Sequence, residues 1–404
     1  MAQSSMSSSI RSTASGASSG DDEVCVSPRL SLAAATAEAP SKAEQDKETL
    51  TVGPAPGPLT FGQAVYINAG WWCVRCPRDA GGSGPDRMFI AAANSPFTYV
   101  YRHLPGPPFN YQQWSKSQLP MGLHSSTVAI PLGADYPSTA AFYSAADEYG
   151  AVRVVQTDTG NPLFSWRADP RICTMLDWRW DSQIMVAALR GPAYQGSVAM
   201  WEPWGQITDY HIVNTDWCMS AYFNPSPVIH ELASVSLDGT MTCYEQTGGV
   251  TYQVKWTNSP GAGPLWAMSY APNGADCYVG SASGEVVAYW MKFNIEIMRF
   301  NIGEHIWDMS VCEKDGSTWI ALACTTGFYI WDVTSMSIIA HIMEVPPGGS
   351  PATCTSVNWT YDASELATAW LDGNIRIYSV GFVAPPPPPP PGQGGAAAAA
   401  EPTA

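Results

Sequence analysis

Charge is what this sequence has least of. Asp, Glu, Lys and Arg together make up 13% of its 404 residues, about half the usual share. Acidic residues number 35 and basic residues 19, a formal net charge of −16. The chain has no run of Lys or Arg. Nucleic acid and anionic lipid both need clustered cations, so no direct nucleic-acid binding and no membrane binding are expected. Long apolar runs are missing as well. No stretch of ~18 apolar residues could cross a bilayer as a helix, and Met1 to Gly20 lack the apolar core of a signal peptide. The expected location is cytoplasmic or nuclear, not secreted, with the ten Cys kept reduced.

Residue constellations that carry chemistry are just as sparse. His103, His124, His211, His230, His305 and His341 are isolated, with no His-x-x-x-His pair. Cys73-Val74-Arg75-Cys76 is a lone Cys-x-x-Cys. A structural zinc needs four ligands, and a redox-active pair needs a strand-to-helix context; neither is present, so these read as two residues on a strand. The sequence has no phosphate-cradling glycine loop and no nucleophile elbow or kinase signature. No catalytic residue, metal or cofactor is therefore expected, and the protein is not expected to be an enzyme.

What the chain has is material for a large β core: 46% hydrophobic residues, 17 Trp, 18 Tyr, and 35 Gly with 34 Pro for turns. Residues 1–58 are rich in Ser, Ala and acids without a hydrophobic period, and predict a disordered segment. Residues 384–404 predict a disordered tail with a polyproline II spike, the seven prolines Pro385 to Pro391. Between them, 59–383 shows short runs of Val, Ile, Tyr, Trp and Thr cut by Gly, Pro, Asn and Asp, an all-β pattern with no amphipathic helix.

That region repeats. A turn glycine is followed five residues later by an aromatic: Gly196 by Trp201, Gly239 by Tyr244, Gly284 by Tyr289 and Gly373 by Tyr378. Thr326 and Trp331 form another copy, Gly150 and Val155 a weaker one, and a first copy ends at Tyr101. The end positions 101, 155, 201, 244, 289, 331 and 378 lie 54, 46, 43, 45, 42 and 47 residues apart, the spacing of four-stranded propeller blades. Inner strands are expected ahead of each turn, as at Met268 to Gly274, Ser310 to Gly316 and Val357 to Asp362. The last copy has three strands, and Leu59 to Asn68 can supply the fourth, which would remove two open edges.

These copies resemble the WD-repeat family. Trp331-Asp332 is the dipeptide that names it, and Leu237-Asp238-Gly239-Thr240 and Leu371-Asp372-Gly373-Asn374 are similar to its turn between second and third strands. His124 and His305 stand where the family often has a His, for which a structural hydrogen bond is expected. The resemblance implies a seven-bladed β-propeller over 59–383. Most copies lack the family's bracing His and Asp, so apolar packing between blades is expected to carry more of the stability.

The candidate site is a collar of four tryptophans, Trp72, Trp217, Trp266 and Trp307, each read as standing at the entrance to a first strand. Trp offers a large apolar area with one donor and is favoured at binding hot spots. The segment from Trp266 to Gly274 also resembles the heterotrimeric G-protein β subunit, which implies that Trp266 lies on a partner-binding face. The plainer reading is packing between blades. The function expected is a scaffold or adaptor that binds other proteins or peptide segments, with Pro385 to Pro391 a ligand for polyproline-binding domains. Adaptors of transport or the nuclear pore share the fold. So do substrate receptors of cullin-type ubiquitin ligases, but those often carry an Arg two residues after the Trp-Asp dipeptide, where this chain has Thr334.

Overall fold

Strands buried on both faces read as continuous apolar runs, and strands with one open face alternate. The computed structural model follows that rule from the centre outward. It describes residues 59–380 apart from 67–69, 77–87, 105–109, 120–124, 131–141, 148, 168–171, 192–194, 315, 346–350 and 361. The chain divides between Thr51 and Val52, and every described residue belongs to the second unit. The expectations for 1–58 and 384–404, including Pro385 to Pro391, lie outside the described residues.

The described residues form seven antiparallel four-stranded sheets, a seven-bladed propeller. The first, inner strands of blades 1 to 7 are Trp71–Arg75, Ser125–Ala129, Ile172–Trp178, Cys218–Phe223, Leu265–Tyr270, Ile306–Lys314 and Cys354–Trp359. Second strands are close to wholly buried, as in Met88–Ala93 and Glu365–Trp370. Fourth strands such as Pro162–Arg167 are largely exposed. Small residues recur where the blades converge: Ala91, Ala145, Ala187, Ala233, Gly280, Ala321 and Ala367 all stand in second strands.

Closure is as the sequence predicts. Leu59–Tyr66 pairs with Asn374–Val380 as the fourth strand of blade 7, from Leu59 opposite Val380 to Tyr66 opposite Asn374. All seven repeat ends, from Tyr101 to Tyr378, are buried in third strands. A β-bulge falls at each of them, where the fourth strand shifts register. The repeat thus marks the point where every blade adds twist. Trp331 lies flat on Phe300 of the preceding blade, rings 3.9 Å apart. The turn aspartates work locally. Asp332 accepts the Thr334 amide, Asp372 the Asn374 amide and Asp238 the Thr240 amide.

The landmark glycines are of two kinds. Gly239, Gly284 and Gly373 have φ of +80°, +87° and +89°, a conformation only glycine takes without strain. Gly196 is not a turn residue but opens a strand. A Cβ there would run into the carbonyl oxygen of Asp216 and stand 2.5 Å from the Cys218 nitrogen, in the segment leading into blade 4.

Blades are also joined by hydrogen bonds, which the expectation of mainly apolar packing left out. Side chains of one inner strand serve the open edge of the next. Thr174 donates to the Cys218 carbonyl at 2.7 Å and Ser220 to the Trp266 carbonyl at 2.9 Å. Asp177 accepts the Phe223 amide at 2.9 Å and Ser310 the Trp359 amide at 3.2 Å. Ser356 and Asn358 accept the Val74 and Cys76 amides at 3.2 and 2.8 Å, which joins blade 7 to blade 1.

Gly196→Ala tests the close approach between blades 3 and 4. Backbone atoms cannot yield as a side chain can, so a loss of about 1–3 kcal/mol is expected, measured as a lower urea midpoint with an unchanged slope.

Candidate functional site

Each inner strand begins with its own bulge. In blade 5, Leu265 pairs with Ser281 and Ala267 with Gly280, which leaves Trp266 as the extra residue. The equivalent residues are Trp72, Ser126, Thr174, Met219, Trp307 and Thr355. A bulge re-aims the residue it carries, so these seven positions form one ring at the end of the channel where the inner strands start.

The register divides the four tryptophans by position. Trp266 and Trp307 occupy equivalent positions on adjacent blades, and Trp72 holds the same backbone position in blade 1. Trp217 does not: it precedes the bulge residue Met219 by two and lies outside the strand. Its counterpart in blade 6 is His305. The Arg190 guanidinium lies over the Trp217 ring, 4.1 Å from its centre. The letters Trp-Cys-Met-Ser and Trp-Ala-Met-Ser look alike but stand two residues out of phase. The side chain of Trp72 and all of His124 lie outside the described residues.

What the structure brings together is a trio. Trp266 and Trp307 meet edge to face at 5.2 Å. His305 lies 4.7 Å from Trp266 and 4.0 Å from Trp307. Both tryptophans are half-buried. His305 makes no structural hydrogen bond, contrary to expectation: its Nε2, like Nε1 of Trp307, is buried without a partner. Burial pushes its pKa down to about 4, so the ring is neutral at pH 7. Buried polar atoms without partners cost free energy and are rare in native folds.

Deeper in the channel lies a residue that motif reading passed over. Arg75, inside the Cys-x-x-Cys, crosses the axis. Its Nη1 donates to Asp308 Oδ2 at 2.8 Å and to Ser356 Oγ at 2.9 Å. Its Nη2 donates to Tyr222 Oη at 2.9 Å and to Met175 Sδ at 3.3 Å. Ser356 in turn donates to Asp308 at 2.5 Å. One guanidinium in blade 1 therefore reaches blades 3, 4, 6 and 7. Burial, the largest single influence, would lower its pKa, but the Asp308 carboxylate together with Cys73 and Tyr222 holds it well above the ordinary value. The only sequence signal was a lone Arg on an inner strand.

The two cysteines around it face different cores: Cys73 packs with Met88 and Ile90, Cys76 with Phe89 and Tyr101. Burial raises both thiol pKa values, so neither thiol is a ready nucleophile. Among the described residues no three His, Cys, Asp or Glu side chains converge as a metal would require. Beyond Arg75, toward the end of the channel where the inner strands finish, lies a small pocket of ≈ 20 Å³. Its walls include Arg75, Ile130, Leu176, Asp177, Tyr222 and Asn358.

Two tests follow from this geometry. Arg75→Met leaves the Asp308 charge buried without its partner and should cost about 3–5 kcal/mol. In urea denaturation, a cycle with Asp308→Asn should return a coupling of about 1–3 kcal/mol, and additive losses would show that the pair is not formed. For His305, the folded pKa lies below the unfolded value of about 6.5. The unfolded chain then takes up the proton first, and stability falls as pH drops from about 6.5 to about 4. The loss in Tm between pH 7 and pH 4.5 should be smaller in His305→Gln; an equal loss would refute the neutral buried ring.

No family model matches the chain. It is similar to the small ribosomal subunit protein RACK1z of Oryza sativa subsp. japonica, 28% identical over 116 residues, 28% of this chain and 34% of the relative. It is 24% identical to RACK1y of the same organism over 169 residues, 41% of this chain and 49% of the relative. It is also 24% identical to RACK1 of Medicago sativa over 133 residues, 30% of this chain and 40% of the relative. The chain matches these curated relatives over a third to a half of their length. Among the described residues no helix is long and apolar enough to cross a membrane. With seven repeats in register, a four-stranded sheet for each, and a ring closed by the strand that precedes blade 1, the chain is a seven-bladed β-propeller whose repeats are similar to those of WD-repeat proteins.

Proposed function

We propose that this protein is a non-enzymatic interaction scaffold that seats a partner's peptide segment on the start rim of blades 5 and 6. The trio Trp266, His305 and Trp307 carries this reading. Two half-buried tryptophans stand on equivalent bulges of neighbouring blades, 5.2 Å apart, where a partner would gain large apolar contact at little conformational cost. His305 is held neutral, so the seat adds no positive charge and favours an uncharged or apolar anchor. The matched relatives bear the name of a small ribosomal subunit protein, and membership of a larger assembly extends the same reading to this chain. A cytoplasmic or nuclear location fits it. Adaptors of transport or the nuclear pore, and receptors of a cullin-type ligase, are narrower forms of one scaffold role. In this reading Pro385 to Pro391 are a second ligand element, for aromatic grooves.

Trp217 separates a functional seat from general aromatic content. Affinity purification with mass spectrometry on Trp266→Ala/Trp307→Ala should lose partners by roughly thirty-fold or more, the scale of a hot spot of about 2 kcal/mol. Trp217→Ala should retain them. A folded double variant that keeps every partner would sink the rim as the binding face.

A further inference from the structure

The small cavity beyond Arg75 is walled by polar groups whose hydrogen-bonding capacity is not used up within the chain. We infer that it is a binding site for one ordered water molecule, which ties blades 1, 3 and 7 together across the channel. Size, chemistry and charge each point to that occupant.

The cavity measures ≈ 20 Å³. A single water needs about 10–15 Å³ of such space and makes about three hydrogen bonds when buried. Nothing larger than a water fits.

The wall brings unpaired donors to this space. Arg75 uses Nη1 on the Val74 carbonyl, Asp308 and Ser356, and Nη2 on Tyr222 and Met175. Its Nε has no hydrogen-bond partner among the described residues. Asn358 uses Oδ1 to accept the Cys76 amide, and its Nδ2 likewise has no partner among the described residues. Both side chains line the cavity, and both residues are more than nine-tenths buried, at 8% and 7% exposure. Donors so deeply placed are costly to leave unmet. An acceptor for the water's own proton stands in the same wall. Asp177 takes the Phe223 amide on Oδ2, and a carboxylate has about four lone-pair sites in all.

The other small occupants fit less well. An apolar one would leave both donors unmet. A cation would face N–H groups. An anion would meet excess negative charge, because Arg75 is already paired with Asp308 at 2.8 Å and Asp177 adds a second carboxylate. Water both accepts from N–H groups and donates to a carboxylate. Asp177 already holds an amide of blade 4, and Asn358 one of blade 1, so the water links two interblade joints through Arg75.

The test is a crystal structure of the full chain grown in sodium bromide. A density peak about 2.7–3.2 Å from Arg75 Nε and Asn358 Nδ2, without anomalous signal, is expected. No peak, where equally buried waters elsewhere in the molecule are seen, overturns the site. An anomalous bromide peak overturns water in favour of an anion. Nuclear magnetic resonance gives a second reading in solution. The Asn358 side-chain amide protons, assigned by their loss in Asn358→Asp, should show NOE and ROE cross-peaks to water of opposite sign, the mark of a long-lived bound water. Cross-peaks of one sign, or none, overturn the inference. Neither readout involves Trp266 or Trp307, so the start rim stands or falls separately.

Discussion

The ring is pinned across its axis by a single buried guanidinium. A propeller has no central core of its own, because each blade packs only on its neighbours and the middle is where the inner strands' open edges face one another. Arg75 fills that space and bonds to four other blades. Burying a charge is expensive, and a buried ion pair often adds little net stability over an apolar replacement. What it gives here is register. Arg75, Asp308 and Ser356 satisfy one another only if blades 1, 6 and 7 stand at one relative height. The pairing of Leu59–Tyr66 with Asn374–Val380 closes the ring at its outside, and the Arg75 network fixes the same junction on the inside. The Ser356 and Asn358 bonds to blade 1 lie between these two levels.

The architecture was legible because it repeats. Trp201, Tyr244, Tyr289, Trp331 and Tyr378 mark the same bulge in successive blades, and a feature written seven times survives the degeneration of any one copy. The closing strand was legible for a related reason: seven third strands needed seven partners, and only Leu59 to Asn68 was left. The hydroxyl and amide joints were not. Thr174, Ser220, Ser310 and Asn358 do similar work in different blades, but each uses a different residue type and atom, so no period betrays them.

The positions of the tryptophans were only half legible, for a definite reason. Sequence similarity aligned Trp217-Cys218-Met219-Ser220 with Trp266-Ala267-Met268-Ser269, whereas strand pairing aligns Met219 with Trp266. A bulge adds one residue to one strand and leaves no trace in composition. A shift of two residues keeps a side chain's face but moves it along the chain, here to a position before the strand. Trp217 accordingly meets Arg190 instead of another tryptophan. Arg75 was illegible for a stronger reason. Its partners lie 100 to 281 residues away in sequence, and nothing local distinguishes a channel-spanning Arg from an ordinary one.

Because Arg75 bars the channel, its two ends are separate places. The start rim offers aromatic surface on blades 5 and 6; the far end holds a small pocket walled by buried residues. The two ends are also joined through the chain itself. One route is covalent and short. Trp307 and Asp308 are neighbours in the same inner strand, so the rim tryptophan and the carboxylate that anchors Arg75 share one bulge. Arg75, which Asp308 anchors, is itself a wall of the far pocket. The ion pair that joins blades 1 and 6 therefore lies between the start rim and the far pocket.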